Sequence, residues 1–307
     1  MKLNSISVGY NCEGQKFFDL LLSYKPFIHS YFFNCFHGLD WWDKYDTNEF
    51  LQTLKSSNTH NIPANILFNY KRDESLDQIK YLVESFYKFI NLKAITLCSP
   101  GICEKVRNIY PDLQIHYSCH STQSVQNFDN LIGIVDVINL SSVTDFNNFQ
   151  KISDLKAKGF LIKYILNKGC IPNRELTYKK LSKNYPEIAC EFCEQNNQLC
   201  FKLFEEFPWL KLSRGIYYSE FLKYFDTVDI WKLTSRKIST EDIKQALQYY
   251  ILNKKTSKLF DLNLTDKSYQ IFLDWIPKRL SCDGFCNSCD ICKKTWKEMI
   301  ISNQLSF

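Results

Sequence analysis

Asn65-Ile66-Leu67-Phe68-Asn69-Tyr70 is a short β-prone run, Leu76, Ile79, Leu82, Val83 and Phe86 then recur at helical spacing, and Lys93-Ala94-Ile95-Thr96-Leu97-Cys98 is a second β-prone run. Strand, helix, strand in that order predicts a parallel βαβ unit. The same rhythm extends outward in both directions. Asn4 to Gly9 and His29 to Asn34 precede it, and Gln114 to Cys119, Val135 to Leu140, Phe160 to Leu166 and Thr227 to Leu233 follow, giving eight strand candidates with helix-like periodicity in most gaps. Eight such units in 307 residues predict an α/β fold, a parallel (β/α)8 TIM-like barrel. A doubly wound open sheet is the alternative, and it lacks support at the first strand. Val8-Gly9-Tyr10-Asn11-Cys12-Glu13-Gly14 does not have the G-x-G-x-x-G spacing of a dinucleotide-binding turn.

The gap after the seventh strand is long and holds Cys170, Cys190, Cys193 and Cys200, so an insertion is expected there, at the barrel mouth where chemistry is usually placed. Ser239-Thr240-Glu241-Asp242 has capping-box spacing and should open a helix, with Asp in place of the usual Glu or Gln. The expected organisation is a barrel domain over 1–238 and a helical, cysteine-rich C-terminal extension over 239–307.

Hydrophobic residues make up 45% of the chain and charged residues 23%, which excludes disordered and collagenous classes. The formal charge of +5 is a mild excess that permits an RNA or anionic-metabolite partner without specifying one, and no DNA partner is expected. Met1 and Lys2 lead into a short alternating strand rather than the apolar core of a signal peptide, and no apolar run approaches a membrane span. A cytoplasmic protein with no membrane partner is the expectation.

Thirteen cysteines in such a chain point to metal ligation or thiol chemistry ahead of disulfides. Some, such as Cys98 and Cys119 at the ends of apolar runs, also suit plain core packing. The tail reads Cys282-Asp283-Gly284-Phe285-Cys286-Asn287-Ser288-Cys289-Asp290-Ile291-Cys292. Four thiolates within eleven residues converge on a metal centre, and Gly284 eases the wrapping of the backbone. An iron-sulfur cluster is expected at Cys282, Cys286, Cys289 and Cys292, with zinc as the alternative for the same four ligands. Its first three cysteines match the spacing of radical S-adenosylmethionine enzymes, but that motif belongs after an early strand and not at the end of a chain.

A second set is dispersed. Cys35 follows the second strand, Cys170 follows the seventh, and Cys190 and Cys193 form a C-x2-C pair in the insertion. Residues just after parallel barrel strands meet at one mouth, so Cys35 and Cys170 are expected to converge. Cys200 is a rival fourth ligand, and Cys12 and Cys103 are outside candidates.

His37 lies beside Cys35, and an imidazole there suits ligation or proton transfer near neutrality, against a plain loop hydrogen bond. His116 and His120 flank Cys119, with His120 better placed for the mouth and His116 for packing within a strand. Lys232 and Arg236 end the eighth strand, where they suit a carboxylate or phosphate, against a surface salt bridge. Trp41 and Trp42 suit either stacking on a planar substrate or simple burial. There is no G-x-S-x-G, no H-E-x-x-H and no P-loop, so hydrolytic and nucleotide-driven classes have no positive support.

Three stretches resemble the peptidase U32 family, in particular its iron-sulfur branch that takes part in oxygen-independent hydroxylation. Asn167-Lys168-Gly169-Cys170-Ile171-Pro172-Asn173-Arg174 is similar to the family's glycine-cysteine segment after a late strand. Pro208-Trp209-Leu210-Lys211, followed by Asp229-Ile230-Trp231-Lys232-Leu233-Thr234-Ser235-Arg236, resembles its closing strand, and the tail resembles C-terminal arrays of distant relatives. The family's cysteine-x-serine-glycine-arginine-cysteine core is absent, and Asn173 and Arg174 stand where a second cysteine is expected.

The resemblance implies a 4Fe-4S cluster on Cys35, Cys170, Cys190 and Cys193; the tail spacing adds a second metal site, and position after the strands makes His37, His120, Lys232 and Arg236 the catalytic candidates. It implies oxygen-independent hydroxylation, or a related redox modification, of an aromatic metabolite or RNA base. The competing class is a noncatalytic, metal-stabilised barrel that binds a metabolite or a related partner subunit, and a U32-type peptidase ranks behind both.

Overall fold

In the computed structural model the described residues are 5–34, 54–55, 61–68, 76–118, 128–140, 149–166, 212, 219–222, 227–234, 239–252, 258–259, 262–280 and 289–304. The strands are β1 (Ile6–Gly9), β2 (Ile28–Asn34), β3 (Ala64–Leu67), β4 (Leu92–Leu97), β5 (Gln114–Tyr117), β6 (Val137–Leu140), β7 (Leu161–Ile165) and β8 (Ile230–Leu233). They pair in chain order, all in parallel, and β8 returns to β1 through Ile6↔Trp231, Ser7↔Lys232 and Val8↔Leu233, closing the barrel. The open-sheet alternative is thereby excluded.

Helices α1 (Gln15–Ser23), α2 (Leu76–Tyr87), α3 (Pro100–Ile109) and α4 (Phe149–Ala157) follow β1, β3, β4 and β6, and α5 (Thr240–Ile251) follows β8. Their apolar stripes lie on the outer face of the barrel. Phe18 of α1 meets Tyr31 edge-on at 5.2 Å, and Phe86 of α2 meets Phe33 at 5.4 Å, so the odd-numbered side chains of β2 from Tyr31 onward face the helices. Alternation then turns Ser30 and Phe32 toward the barrel axis.

Helix α4 ends where Gly159 takes a φ of +91°, a conformation that strains any other residue. Gly159 N–H donates to the Lys156 carbonyl and Phe160 N–H to the Leu155 carbonyl, a Schellman closure that directs the chain into β7. Helix α5 begins with the expected capping box. The Ser239 hydroxyl accepts from Asp242 N–H at 3.1 Å, and the Asp242 carboxylate accepts from Ser239 N–H at 3.3 Å.

The chain divides into two compact units. The first holds the barrel and comprises Met1–Ser141, Phe149–Leu166 and Phe225–Lys254; the second comprises Ser142–Asn148, Asn167–Tyr224 and Lys255–Phe307. The second contains a two-stranded sheet of β9 (Lys258–Leu259) and β10 (Leu262–Asn263) and the helices α6 (Asp266–Leu280) and α7 (Ile291–Gln304). Phe272, Trp275 and Ile276 of α6, with Trp296 and Met299 of α7, are buried. The Asn303 carboxamide accepts from Thr265 N–H and Oγ1, tying the end of α7 to the start of α6. No helix among the described residues is long and apolar enough to cross a membrane.

Candidate functional site

The register of the eight strands decides what lies inside the barrel, because partners in adjacent parallel strands point to the same side. Ser7 pairs with both Ser30 and Lys232, Thr96 with His116, and Asn139 with Lys163, all on the inward face. Phe32 pairs with Asn65, which brings β3 into the same set. Each strand thus places one buried polar side chain inside: Ser7, Ser30, Asn65, Thr96, His116, Asn139, Lys163 and Lys232. Barrel interiors are ordinarily filled by layers of bulky branched side chains. Here Gly9 and Ala94 are also on the inward face, and none of the eight strands contains an Asp or Glu.

The polar groups form two hydrogen-bonded arrays. In the first, Thr96 Oγ1 donates to Asn65 Oδ1 at 3.0 Å, Asn65 Nδ2 donates to His116 Nδ1 at 3.0 Å, and His116 Nε2 donates to Gln114 Oε1 at 2.8 Å. This pattern assigns His116 the neutral Nε2–H tautomer. Burial, and then the charges of Lys163, His29 and Lys232, hold its pKa well below the usual histidine value.

In the second array, Lys163 Nζ donates to Ser7 Oγ at 2.8 Å, Ser7 Oγ meets Ser30 Oγ at 2.9 Å, and Ser30 Oγ meets His29 Nδ1 at 3.1 Å. His29 enters this chain because the β1–β2 register slips by one residue between Ile6 and Ser7. Burial, reinforced by Lys163, lowers its pKa to about 4. Lys163 is 1% exposed, and burial followed by the charge of Lys232 pushes its pKa well below the ordinary lysine range. Both amines lie over the Phe32 ring, Lys232 at 4.5 Å and Lys163 at 5.7 Å from its centroid.

Of the residues singled out from sequence, Lys232 is 6% exposed inside the barrel, which sets aside a surface salt bridge as its role. His116 is packed within its strand as expected. Cys98 and Cys103 are buried, and burial pushes the Cys103 thiol up to about 12. Cys35, His37, Trp41, Trp42, Cys119, His120, Cys170, Cys190, Cys193, Cys200, Arg236, Cys282 and Cys286 lie outside the described residues. Sequence reasoning missed Lys163, His29 and the polar ring. The available signal was one charged or polar residue at the centre of each strand, which reads equally well as a solvent-facing position until closure fixes the inward side.

At the tail, Cys289 is half-buried and Cys292 is buried at the start of α7, and neither forms a disulfide. Trp296 stands one turn after Cys292, so the two share a helix face, and helical side chains lean back toward the N-terminus. Trp296 is 8% exposed, and its indole N–H has no acceptor among the described residues. A buried donor of this kind fits a sulfur-ligated centre, whose thiolates accept N–H hydrogen bonds. Among the described residues no three His, Cys, Asp or Glu side chains form a metal-binding group.

No protein-family model matches the chain, and no curated protein does. Among solved structures, a U32 peptidase aligns with a TM-score of 0.45 at 12% identity, over 76% of this chain and 94% of the peptidase. The UMP synthase of Leishmania donovani aligns with a TM-score of 0.41 at 10% identity, over 83% of this chain and 55% of the synthase.

Proposed function

We propose that this protein is an iron-sulfur barrel enzyme that carries out an oxygen-independent hydroxylation, or a related redox modification, of an aromatic metabolite or RNA base. The observation that carries the reading is the barrel interior. A scaffold would fill its axis with apolar side chains, whereas this one holds two lysines and a histidine on the inward faces of strands without carboxylates. Enclosing the amine of Lys163, whose pKa burial pushes down, costs stability, and groups shifted in this way cluster at functional sites.

Cys35 is the next residue after β2, and Cys170 follows shortly after the end of β7. In this reading they hold the cluster with Cys190 and Cys193, while Cys282, Cys286, Cys289 and Cys292 hold a second centre. When bound, the cluster would supply or accept single electrons. The chain's own residues would supply the rest: Lys232 would orient an anionic or carbonyl oxygen of the substrate, and His37, His120 and Arg236 are the further residues proposed to act on it.

Anaerobic purification with iron and sulfide counting tests this, paired with Cys35→Ser, Cys170→Ser, Cys289→Ser and Cys292→Ser. Two separable losses of iron are expected, one for each cysteine set. Zinc without sulfide would remove the redox assignment, and unchanged iron in the Cys35 and Cys170 variants would remove the mouth cluster. Comparison of metabolites and RNA modifications in cells lacking the protein then identifies the substrate.

A further inference from the structure

Helices α6 and α7 run antiparallel, because Thr265 at the start of α6 meets Asn303 at the end of α7. At that end the polar groups answer one another. Asn303 accepts from Thr265 and donates to the Asn263 carbonyl, Ser268 donates to the Thr265 carbonyl at 3.0 Å, and Ser302 donates to the Met299 carbonyl at 3.0 Å. At the other end stand Cys289 and Cys292, and one turn further into α7 comes Trp296.

The Trp296 ring is enclosed, 8% exposed, and no nitrogen, oxygen or sulfur among the described residues accepts its indole N–H. An indole nitrogen only donates, and a buried donor left unmade costs about 1–3 kcal/mol. A tryptophan buried for packing alone usually keeps its N–H beside a partner. The large buried side chains of the two helices cannot supply one: Phe272, Trp275, Ile276 and Met299 offer rings, hydrocarbon and one weakly accepting thioether.

Cysteine sulfur is the exception by position. Cys292 and Trp296 are four residues apart and share a helix face, and long side chains on a helix lean toward its N-terminus. The indole therefore leans toward the turn that carries Cys292, with Cys289 just before it. Neither cysteine is in a disulfide. A metal-bound cysteine is deprotonated, and a thiolate accepts a hydrogen bond more strongly than a thiol does.

We propose that the Trp296 indole N–H donates to a sulfur of the metal centre that Cys289 and Cys292 help to hold, which makes Trp296 a positioning residue for that centre. The assignment rests on the tail centre of the proposed function and extends it to a residue outside the ligand set. The hydrogen bond forms on loading, so it favours the loaded state.

The test uses the full-length protein carrying Cys35→Ser and Cys170→Ser, so that loading is read at the tail. Metal-stripped protein is loaded anaerobically with ferrous iron and sulfide, and in a parallel sample with zinc, and ultraviolet resonance Raman spectra report indole N–H hydrogen bonding. One of the six tryptophans should become hydrogen-bonded with whichever metal is retained. Trp296→Phe, checked by circular dichroism, should lose that change and hold the metal about tenfold more weakly against a chelator, as expected for a group that orients metal ligands. Retained metal with every indole unchanged overturns the proposal and leaves the tail centre standing. That comparison needs no variant, so it holds even where Trp296→Phe folds poorly. A change that persists in Trp296→Phe also overturns the proposal, and retention of neither metal overturns both it and the tail centre.

Discussion

His116 sits where an imidazolium has no place for its second proton. Its Nδ1 accepts from the Asn65 amide, whose oxygen is in turn committed to Thr96, and protonation would set two donors against each other. His29 is restrained in the same direction by burial and by Lys163. Both histidines therefore have lower pKa values folded than unfolded, so below about pH 6.5 the unfolded chain binds more protons and stability falls with pH. The His29 contribution continues to be lost down to about 4. Urea midpoints measured from pH 7 to pH 4.5 should decline, and the decline should be shallower in His116→Gln. Equal slopes in the two proteins would show that His116 is not held neutral. The position of His116 in a strand was legible from its apolar neighbours, but its role was not. That role depends on Asn65 and Thr96 from two other strands, and no local pattern reports them.

At the scale of elements, the amino ends of the later strands are held by side chains that precede them. Asp136, just before β6, accepts from the Ile115 N–H of β5 at 2.6 Å and pairs with Arg107 of α3. Arg107 also donates to the carbonyls of Pro111 at 2.7 Å, Leu113 at 3.1 Å and Ile134 at 3.1 Å. Asp229, just before β8, repeats the device, accepting from Ile162 N–H and from Lys156 Nζ of α4, each at 2.7 Å. These clasps lie at the end of the barrel opposite the mouth, where stability rather than chemistry is placed. Arg107→Ala should cost about 2–3 kcal/mol, since it strips several charge-assisted bonds at once. Arg107→Lys should recover only part of it, because an ammonium cannot span the same carbonyls. A loss within about 0.5 kcal/mol in urea denaturation would mean that water replaces the clasp. The clasps also explain why sequence periodicity overshot the strands. Val135 to Leu140 and Thr227 to Leu233 read as continuous β-prone runs, whereas the ladders begin only at Val137 and Ile230, after each aspartate has turned its carboxylate onto a neighbouring strand.

Across the whole molecule, eight β-prone runs with helical gaps were enough to predict closure, because length and alternation leave few other ways to cover a parallel sheet. The interior was not predictable from the same pattern. A strand such as Leu161–Ile165 carries one lysine among apolar residues, and which side of the sheet is the axis emerges only from the register of all eight strands. That register gives the barrel a core that is poorer than its fold permits. Lys163 is enclosed, with no carboxylate bonded to it among the described residues, and its pKa is pushed down by burial and by Lys232. Replacing it with Met keeps the length of the side chain while removing the desolvated amine, so Lys163→Met should be neutral or stabilising by about 1–2 kcal/mol. The gain should shrink as pH rises toward 10. The lowered folded pKa means that the unfolded chain binds more protons below the ordinary lysine value, so the penalty carried by the native amine fades as the unfolded lysine also deprotonates. Denaturation of both proteins at pH 7 and pH 10 measures this difference. A variant that is instead several kcal/mol less stable at pH 7 would show that the Ser7 hydrogen bond outweighs desolvation, and that Lys163 is retained for the fold rather than in spite of it.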